Sequence, residues 1–325
     1  MMPTRRLLLA GLPAGLGLAR PALAQDRFPA RPIRMVIPVG VGGVTDVVGR
    51  ILAEGMQTVL GRPVVPENIP GAGSTVGAAA FHRAPADGYA IFIATNNHAV
   101  MRAIYPNFAH DPMADFVPLA LVGRQPFVLA VHPDVPARDV AGLLAWLRAQ
   151  GEGANYGATN PGATNHLAGE LFKQISGGAF TIIPYRTAAN AVQDLVAGRM
   201  NFTIDSPTML LPLIQAGRVR GLAVSSREPS ALVPGLPSLA QSGVANYELT
   251  AWQVLYAKPG TPPDVVATLA DAAKRALDDP AMATRLATAG VERWPDASPA
   301  AAAAHVQAEM ARWAPIVSRM NLGSN

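Results

Sequence analysis

The sequence contains no cysteine, which excludes a disulfide framework, thiolate zinc sites, a cysteine nucleophile and a lipid anchor on an N-terminal cysteine. Charged residues make up only 15% of the chain and aromatic residues 6%. Lys and Arg never run beyond two in a row, so the basic patches of nucleic-acid binding are missing. No apolar run reaches the roughly 20 residues that a spanning helix needs. Gly-Lys-Ser/Thr, His-Glu-x-x-His and Gly-x-Ser-x-Gly spacings are all absent, which argues against a phosphate-binding P-loop, a zinc protease and a serine hydrolase elbow. What the chain has is 50% hydrophobic residues over a length of 325. That suffices to bury cores in two domains and excludes disorder for most of the chain.

Arg5 and Arg6 precede 13 uncharged residues, Leu7 to Ala19, and then Ala22-Leu23-Ala24. This is the pattern of an export signal cleaved after Ala24. Thr4 to Leu9 also fits a twin-arginine signal, so the export route stays open. Residues 1–24 hold three arginines and no acid, and their removal lowers the net charge from +4 to +1.

Beyond that segment, strand, glycine-bearing turn and helix alternate. Ile33 to Pro38 reads as a buried strand, and Val47, Val48, Ile51, Leu52, Met56, Val59 and Leu60 recur at helical spacing before Gly61. Pro63 to Val65 and Tyr89 to Ala94 repeat the strand theme. A second set follows at Phe127 to Val131, Thr181 to Ile183, Phe202 to Ile204 and Leu222 to Val224, with helices over Val140 to Arg148 and His166 to Ile175. From Pro262 the chain is alanine-rich and helical, with breaks near Pro280 and Gly290. The alternation predicts parallel α/β sheets in two lobes with no flexible tether.

The turns carry the chemistry. Pro38 to Asp46, with Gly40, Gly42 and Gly43 ahead of Val44 and Thr45, lies where a strand meets a helix; unpaired amides and the helix dipole attract anions there. The bland alternative is a turn that Thr45 merely caps. Glu67 to Gly77 is a second glycine-bearing turn, too far from its strand for a dinucleotide fingerprint. Tyr156 to Leu167 is a third, and it faces the first if the lobes close. His98, after Thr95-Asn96-Asn97, either reaches a ligand or caps the next helix, while His82 reads as a helix-surface residue.

Ile33 to Asp46, Glu67-Asn68-x-Pro70-Gly71-Ala72-Gly73, Asp87-Gly88-Tyr89, His166 to Phe172, Pro184-Tyr185, Asp205 and Trp252 together resemble the substrate-binding proteins of tripartite tricarboxylate transporters, also called Bug-type receptors. The resemblance covers about residues 27 to 322. It implies a type II periplasmic-binding-protein fold of two α/β lobes around a ligand cleft. Lobe 1 would comprise 27–126 plus about 250–325, and lobe 2 about 127–249. It implies a monomeric, non-enzymatic periplasmic receptor with no cofactor and no metal. The partners would be a small organic acid or amino acid and the integral-membrane transporter subunits.

The ligand-binding set it implies is Gly40, Gly42, Gly43, Val44, Thr45 and Asp46 in the first turn and Ala72, Gly73, Asn96 and Asn97 beside it. Across the cleft stand Thr159, Asn160, Gly162, Ala163, Thr164, His166, Tyr185 and Asp205. Tyr185 and Trp252 either cover the ligand or pack within the lobes. Asp205 would repel a carboxylate, so it either orients a loop amide or meets a donor on the ligand. The family usually has proline at Val41, glycine at Asn160, a hydroxyl residue at Ala163 and lysine-glycine at Arg186-Thr187; Thr164 is placed to supply the displaced hydroxyl. A same-fold sensor feeding a signalling partner and a periplasmic α/β enzyme are the alternative readings. The exported protein should begin near Gln25, as N-terminal sequencing of periplasmic material would establish; an uncleaved, membrane-bound precursor would contradict it.

Overall fold

The computed structural model describes residues 28–320, so the expected export segment lies outside the described residues. The chain starts with β1 (Ile33–Ile37), whose apolar run enters a turn, and α1 (Val44–Leu60), which ends on Gly61 at φ +63, the left-handed cap conformation. Next come β2 (Val64–Asn68), α2 (Thr75–His82), β3 (Ala90–Ala94), α3 (Asn97–Ile104) and β4 (Val117–Pro126). A second unit holds β5 (Val128–Val131), α4 (Val140–Gln150), β6 (Asn155–Ala158), α5 (Thr164–Ser176), β7 (Thr181–Pro184), α6 (Ala188–Val196), β8 (Phe202–Asp205), α7 (Pro207–Gln215) and β9 (Arg220–Val224). The chain then returns through β10 (Thr250–Ala257), α8 (Pro263–Asp278), α9 (Pro280–Thr288), β11 (Glu292–Arg293) and α10 (Pro299–Val317).

One sheet has the order β11-β4-β10-β3-β1-β2, the other β7-β6-β8-β5-β9. β2 and β3 pair parallel with β1, and β7 and β8 pair parallel with β6. Their carboxyl ends, where α/β sheets bind ligands, therefore open together in each lobe. The expectation of parallel sheets needs correction, because β10 is antiparallel to β3 and β4, and β5 is antiparallel to β8 and β9. The reason is topological. A chain that leaves one lobe and comes back must cross twice in opposite directions, and β4–β5 and Leu249–β10 are those crossings. β4 escaped sequence reading because Pro118 and Pro126 bracket it and Arg124 interrupts its apolar pattern.

Helices cover both faces of each sheet, which is why the strands read as nearly continuous apolar runs. Leu52, Met56, Leu269 and Leu277 cover one face of the first sheet, and Phe81, Phe92 and Trp252 lie on the other. In the second lobe Leu129, Phe172 and Phe202 pack on one face, with Val128, Leu195 and Leu210 opposite.

Ser225 ties the two crossings together. Its amide donates to Phe127 O at 2.8 Å and its hydroxyl to Leu249 O at 2.6 Å, while Phe127 N donates to the hydroxyl at 2.6 Å and Leu249 N to Ser225 O at 2.8 Å. Helix α10 braces this hinge. Buried Glu309 accepts from the indoles of Trp252 and Trp313 at 3.1 and 3.0 Å. Trp252 is thus a packing residue and covers no ligand. α10 also departs from the expected lobe assignment: Ala302 and Val306 pack in the first lobe, whereas Trp313 and Val317 enter the core of the second.

Helix α2 is pressed against the end of β1 through Gly77. A Cβ there would lie 2.8 Å from Ile69 O and 2.8 Å from Pro38 Cβ. Gly77→Ala should therefore overpack the junction by about 1–3 kcal/mol and lower the melting temperature by several degrees. An unchanged thermal unfolding curve would mean that α2 shifts freely and does not set the position of the turn after Pro38.

Candidate ligand-binding site

Most of the described α-helices close their own N-termini. Asp139, Thr187, Asp279 and Ser298 cap α4, α6, α9 and α10, and α7 and α8 open with proline. Among the described helices, α1, α2, α3 and α5 alone have neither device. Each of these four follows a strand whose carboxyl end opens on the cleft, but His98 N and Ala99 N of α3 turn back to Thr95 O and Asn96 O and Thr75 N of α2 to Ala72 O, so it is the first-turn amides of α1 and α5 that remain available to an anion. Thr187 takes α6 out of this set, since its hydroxyl accepts from Asn190 N at 3.2 Å.

The first turn is held by Asp46, only 2% exposed. Its carboxylate accepts from Gly42 N at 2.9 Å, Arg50 Nε at 2.9 Å and Asn68 Nδ2 at 2.8 Å. Asn68 also donates to Val39 O at 3.0 Å. Gly42 sits at φ +85, a conformation that favours glycine. Its amide is thus turned inward, leaving Gly43 and the first residues of α1 facing out. Thr45 is buried as the second helical residue and does not cap α1; the cap position is Gly43, without a side-chain bond. Gly40 and Val41 are exposed, Val41 at 78%.

The second turn leans on the first. Ala72 and Ser74 hold positive φ angles of 39 and 77°, uncommon for non-glycine residues. Ser74 Oγ donates to Pro38 O at 3.2 Å, and Asn97 Nδ2 donates to Gly73 O at 3.0 Å. Asn96 is occupied by the hinge: Nδ2 donates to Thr250 O at 2.9 Å and Oδ1 accepts from Trp252 N at 3.2 Å. Thr164 from the second lobe reaches the same Oδ1 at 3.4 Å. Asn96 and Asn97 thus position backbone in this conformation.

In the second lobe a relay replaces the salt bridge. Asp205, 4% exposed, accepts from Asn165 Nδ2 at 2.9 Å and Ser206 N at 2.7 Å. Asn165 Oδ1 in turn accepts from Thr159 N at 3.2 Å and Thr159 Oγ1 at 2.7 Å. Ala163 is the uncapped position before α5, and Ala163 N closes the turn on Asn160 O at 3.0 Å. Gly162, at φ +81, abuts Ile104, and Tyr105 Oη donates to Pro161 O at 3.3 Å. The second-lobe turn therefore lies against the α3 segment of the first lobe. Gly162 N donates to His166 Nδ1 at 3.4 Å, and burial pushes that imidazole down to about 4, so His166 is neutral at pH 7.

Other expected residues are engaged within their own lobes. Tyr185 donates to Asp194 on α6 at 2.8 Å and packs on that helix, and burial followed by Asp194 raises its hydroxyl to about 12. His98 neither reaches the cleft nor caps α3: its Nε2 bonds Pro112 O at 2.9 Å among Phe116 and Tyr256. His82 is half-buried and stacked on His110, not a simple surface residue. Sequence reading missed Arg50, Asn165 and Ser206. Asn165 was signalled, because it shares a helical stripe with buried Ala168, Gly169 and Phe172, where a polar residue needs a partner.

Two α/β lobes hinged by antiparallel crossings, each with an uncapped helix start at its strand ends, define a solute-binding protein of the type II periplasmic fold. Residues 48–322 match the family described as tripartite tricarboxylate transporter family receptor, and the chain belongs to that family of periplasmic solute-binding receptors. It is 32% identical over 320 residues to protein BugT of Bordetella pertussis, an alignment covering 98% of each chain. An R. palustris protein solved with adipate superimposes at a TM-score of 0.82 with 33% identity, covering 90% of this chain and 98% of that one. MatC from Rhodopseudomonas palustris with bound malate gives 0.81 and 29%, covering 89% and 100%.

The two anchoring carboxylates differ in acidity. Burial opposes ionisation of Asp46, but the bonds from Arg50, Gly42 and Asn68 outweigh it and hold the group below the ordinary range. Its stabilising contribution is complete above the ordinary value and lost only as pH falls through the lowered one. Burial raises Asp205 despite Ser206 and Asn165, so folding favours its protonated form and this group lends no stability at neutral pH. A proton on Asp205 would set an O–H against Asn165 Nδ2 and loosen Thr159. Amide chemical shifts followed through an acid titration should move for Thr159 at higher pH than for Gly42; coincident midpoints would refute this order.

Proposed function

We propose that this chain is a periplasmic receptor that captures a small carboxylate-containing solute between the α1 and α5 turns and delivers it to a membrane transporter of the tripartite tricarboxylate type. The observation that carries this reading is the pair of helix starts, one in each lobe, left uncapped while buried aspartates hold their turns. Amides of Gly43 to Thr45 and of Thr164 to His166, with the hydroxyl of Thr164, would grip the anion. Each amide-to-anion hydrogen bond contributes on the order of 1.5–3 kcal/mol. The adipate and malate held by the two R. palustris neighbours support a carboxylate as the common recognition element. No described helix is long and apolar enough to cross a membrane. The reading includes no catalytic step and no metal or cofactor.

Binding across two lobes is complete only when the cleft shuts. A ligand favouring the closed state by about 5.5 kcal/mol moves it from one to ninety-nine per cent populated. Small-angle scattering should therefore show a smaller radius of gyration with a bound organic acid. Ala163→Asp separates binding from stability: the new side chain would cap α5, raising stability by about 1 kcal/mol, while its carboxylate occupies the anion position. Calorimetry should find affinity for organic acids nearly abolished in Ala163→Asp and little changed in Arg186→Ala. A more damaging Arg186→Ala would mean that a cation, and not the turn backbone, holds the ligand.

A further inference from the structure

The two crossing strands carry a feature that the α1 and α5 turns do not use. Ala251 pairs with Gln125 and Gln253 with Gly123, so Gln125 and Gln253 share one face as diagonal neighbours. Both are fully buried, and neither amide oxygen nor amide nitrogen of either residue has a hydrogen-bond partner among the described residues. A buried amide without a partner is costly, and two side by side in a hinge call for an explanation.

Their surroundings place them at the inner end of the cleft. A Cβ at Gly290 would lie 3.2 Å from Gln125 Nε2 and 3.5 Å from Thr208 Cγ2, so this amide sits between a first-lobe turn and the start of α7. Thr208 meets Ser206 Oγ at 3.0 Å, and Ser206 N donates to Asp205, the anchor of the second-lobe turn. Gln253 stands one residue before the Val254–Ala94 pair, level with Thr95 at the cleft end of β3. The pair thus bridges the two lobes where their ligand-facing ends meet.

The chemistry offered there is uncharged and two-sided, because each amide presents two N–H donors and an acceptor oxygen. Arg124, next to Gln125 in β4, is committed elsewhere, binding Glu292 at 3.3 Å and lying over Trp294. A second carboxylate buried against the glutamines would find no counter-charge, and a bare alkyl end would leave every amide atom unsatisfied.

We propose that Gln125 and Gln253 are specificity-determining residues that receive the distal end of the ligand through an uncharged group able both to donate and to accept hydrogen bonds, such as a hydroxyl or a carboxamide. This rests on the carboxylate reading above. Calorimetry of the full mature chain with four six-carbon acids tests it: 6-hydroxyhexanoate, adipic acid monoamide, hexanoate and adipate. The first two should bind about ten- to a hundredfold more tightly than the last two. Gln253→Leu should erase the preference for 6-hydroxyhexanoate over hexanoate, and Gln125→Met provides the same readout should that variant fail to fold. If hexanoate or adipate binds as well as the hydroxy acid, the subsite is overturned while the carboxylate reading stands. If none of the four binds, both fall. Discrimination that survives in a folded variant would also overturn the proposal.

Discussion

Helix-start amides can hold an anion only if the protein leaves them unsatisfied and still keeps their turns rigid. These demands conflict, because the usual way to fix such a turn is to cap the helix. In this chain two buried aspartates resolve the conflict from behind. Asp46 takes the inward amide of Gly42 and the side chain of Asn68, and Asp205 works through Asn165 on Thr159. The turn geometry is fixed by groups other than the first-turn amides of α1 and α5, which keep their bonding capacity for a ligand. Asp46 carries a charge neutralised by Arg50, whereas Asp205 relies on neutral donors, and burial raises its pKa despite them. The lobes thus present similar surfaces with different electrostatic backing.

The hinge shares residues with the site. Asn96 bonds the backbone of the returning strand at Thr250 and Trp252 and accepts from Thr164 at the start of α5. Trp252 in turn bonds Glu309 on α10, whose final turns pack in the second lobe. A change in the angle between lobes must therefore alter contacts at the turn and at the hinge together, which is the physical content of a cleft that closes on its ligand. Ser225 limits the motion to a narrow region by tying Phe127 and Leu249 with backbone and side chain alike.

Much was legible in local pattern. Ile33 to Pro38, the stripe from Val47 to Leu60 and the glycine turn between them identify strand, helix and the junction that joins them without any long-range information. Gly61 as a helix end follows from its freedom at positive φ. The spaced motifs from Glu67 to Trp252 carried the family and, through it, the fold, because their order along the chain admits few alternatives. Composition alone excluded thiolate chemistry and basic nucleic-acid surfaces.

What local pattern could not reach was pairing between distant residues. Whether an asparagine touches a ligand or a backbone depends on what stands opposite it: Asn96 meets Thr250, 154 positions away, and Asn165 meets Asp205, 40 positions away. The antiparallel crossings, the burial of Trp252 against Glu309 and the placing of Gln125 beside Gln253 arise from the same cause, since each joins segments that adjoin only after both lobes have folded. The sequence by itself determined which stretches form strands and helices and where glycine-bearing turns join them, because those preferences act within a few residues. Only the tertiary structure decided which polar side chains support the turns and which remain to meet a ligand, because a buried polar group's role is set by the partner that satisfies it.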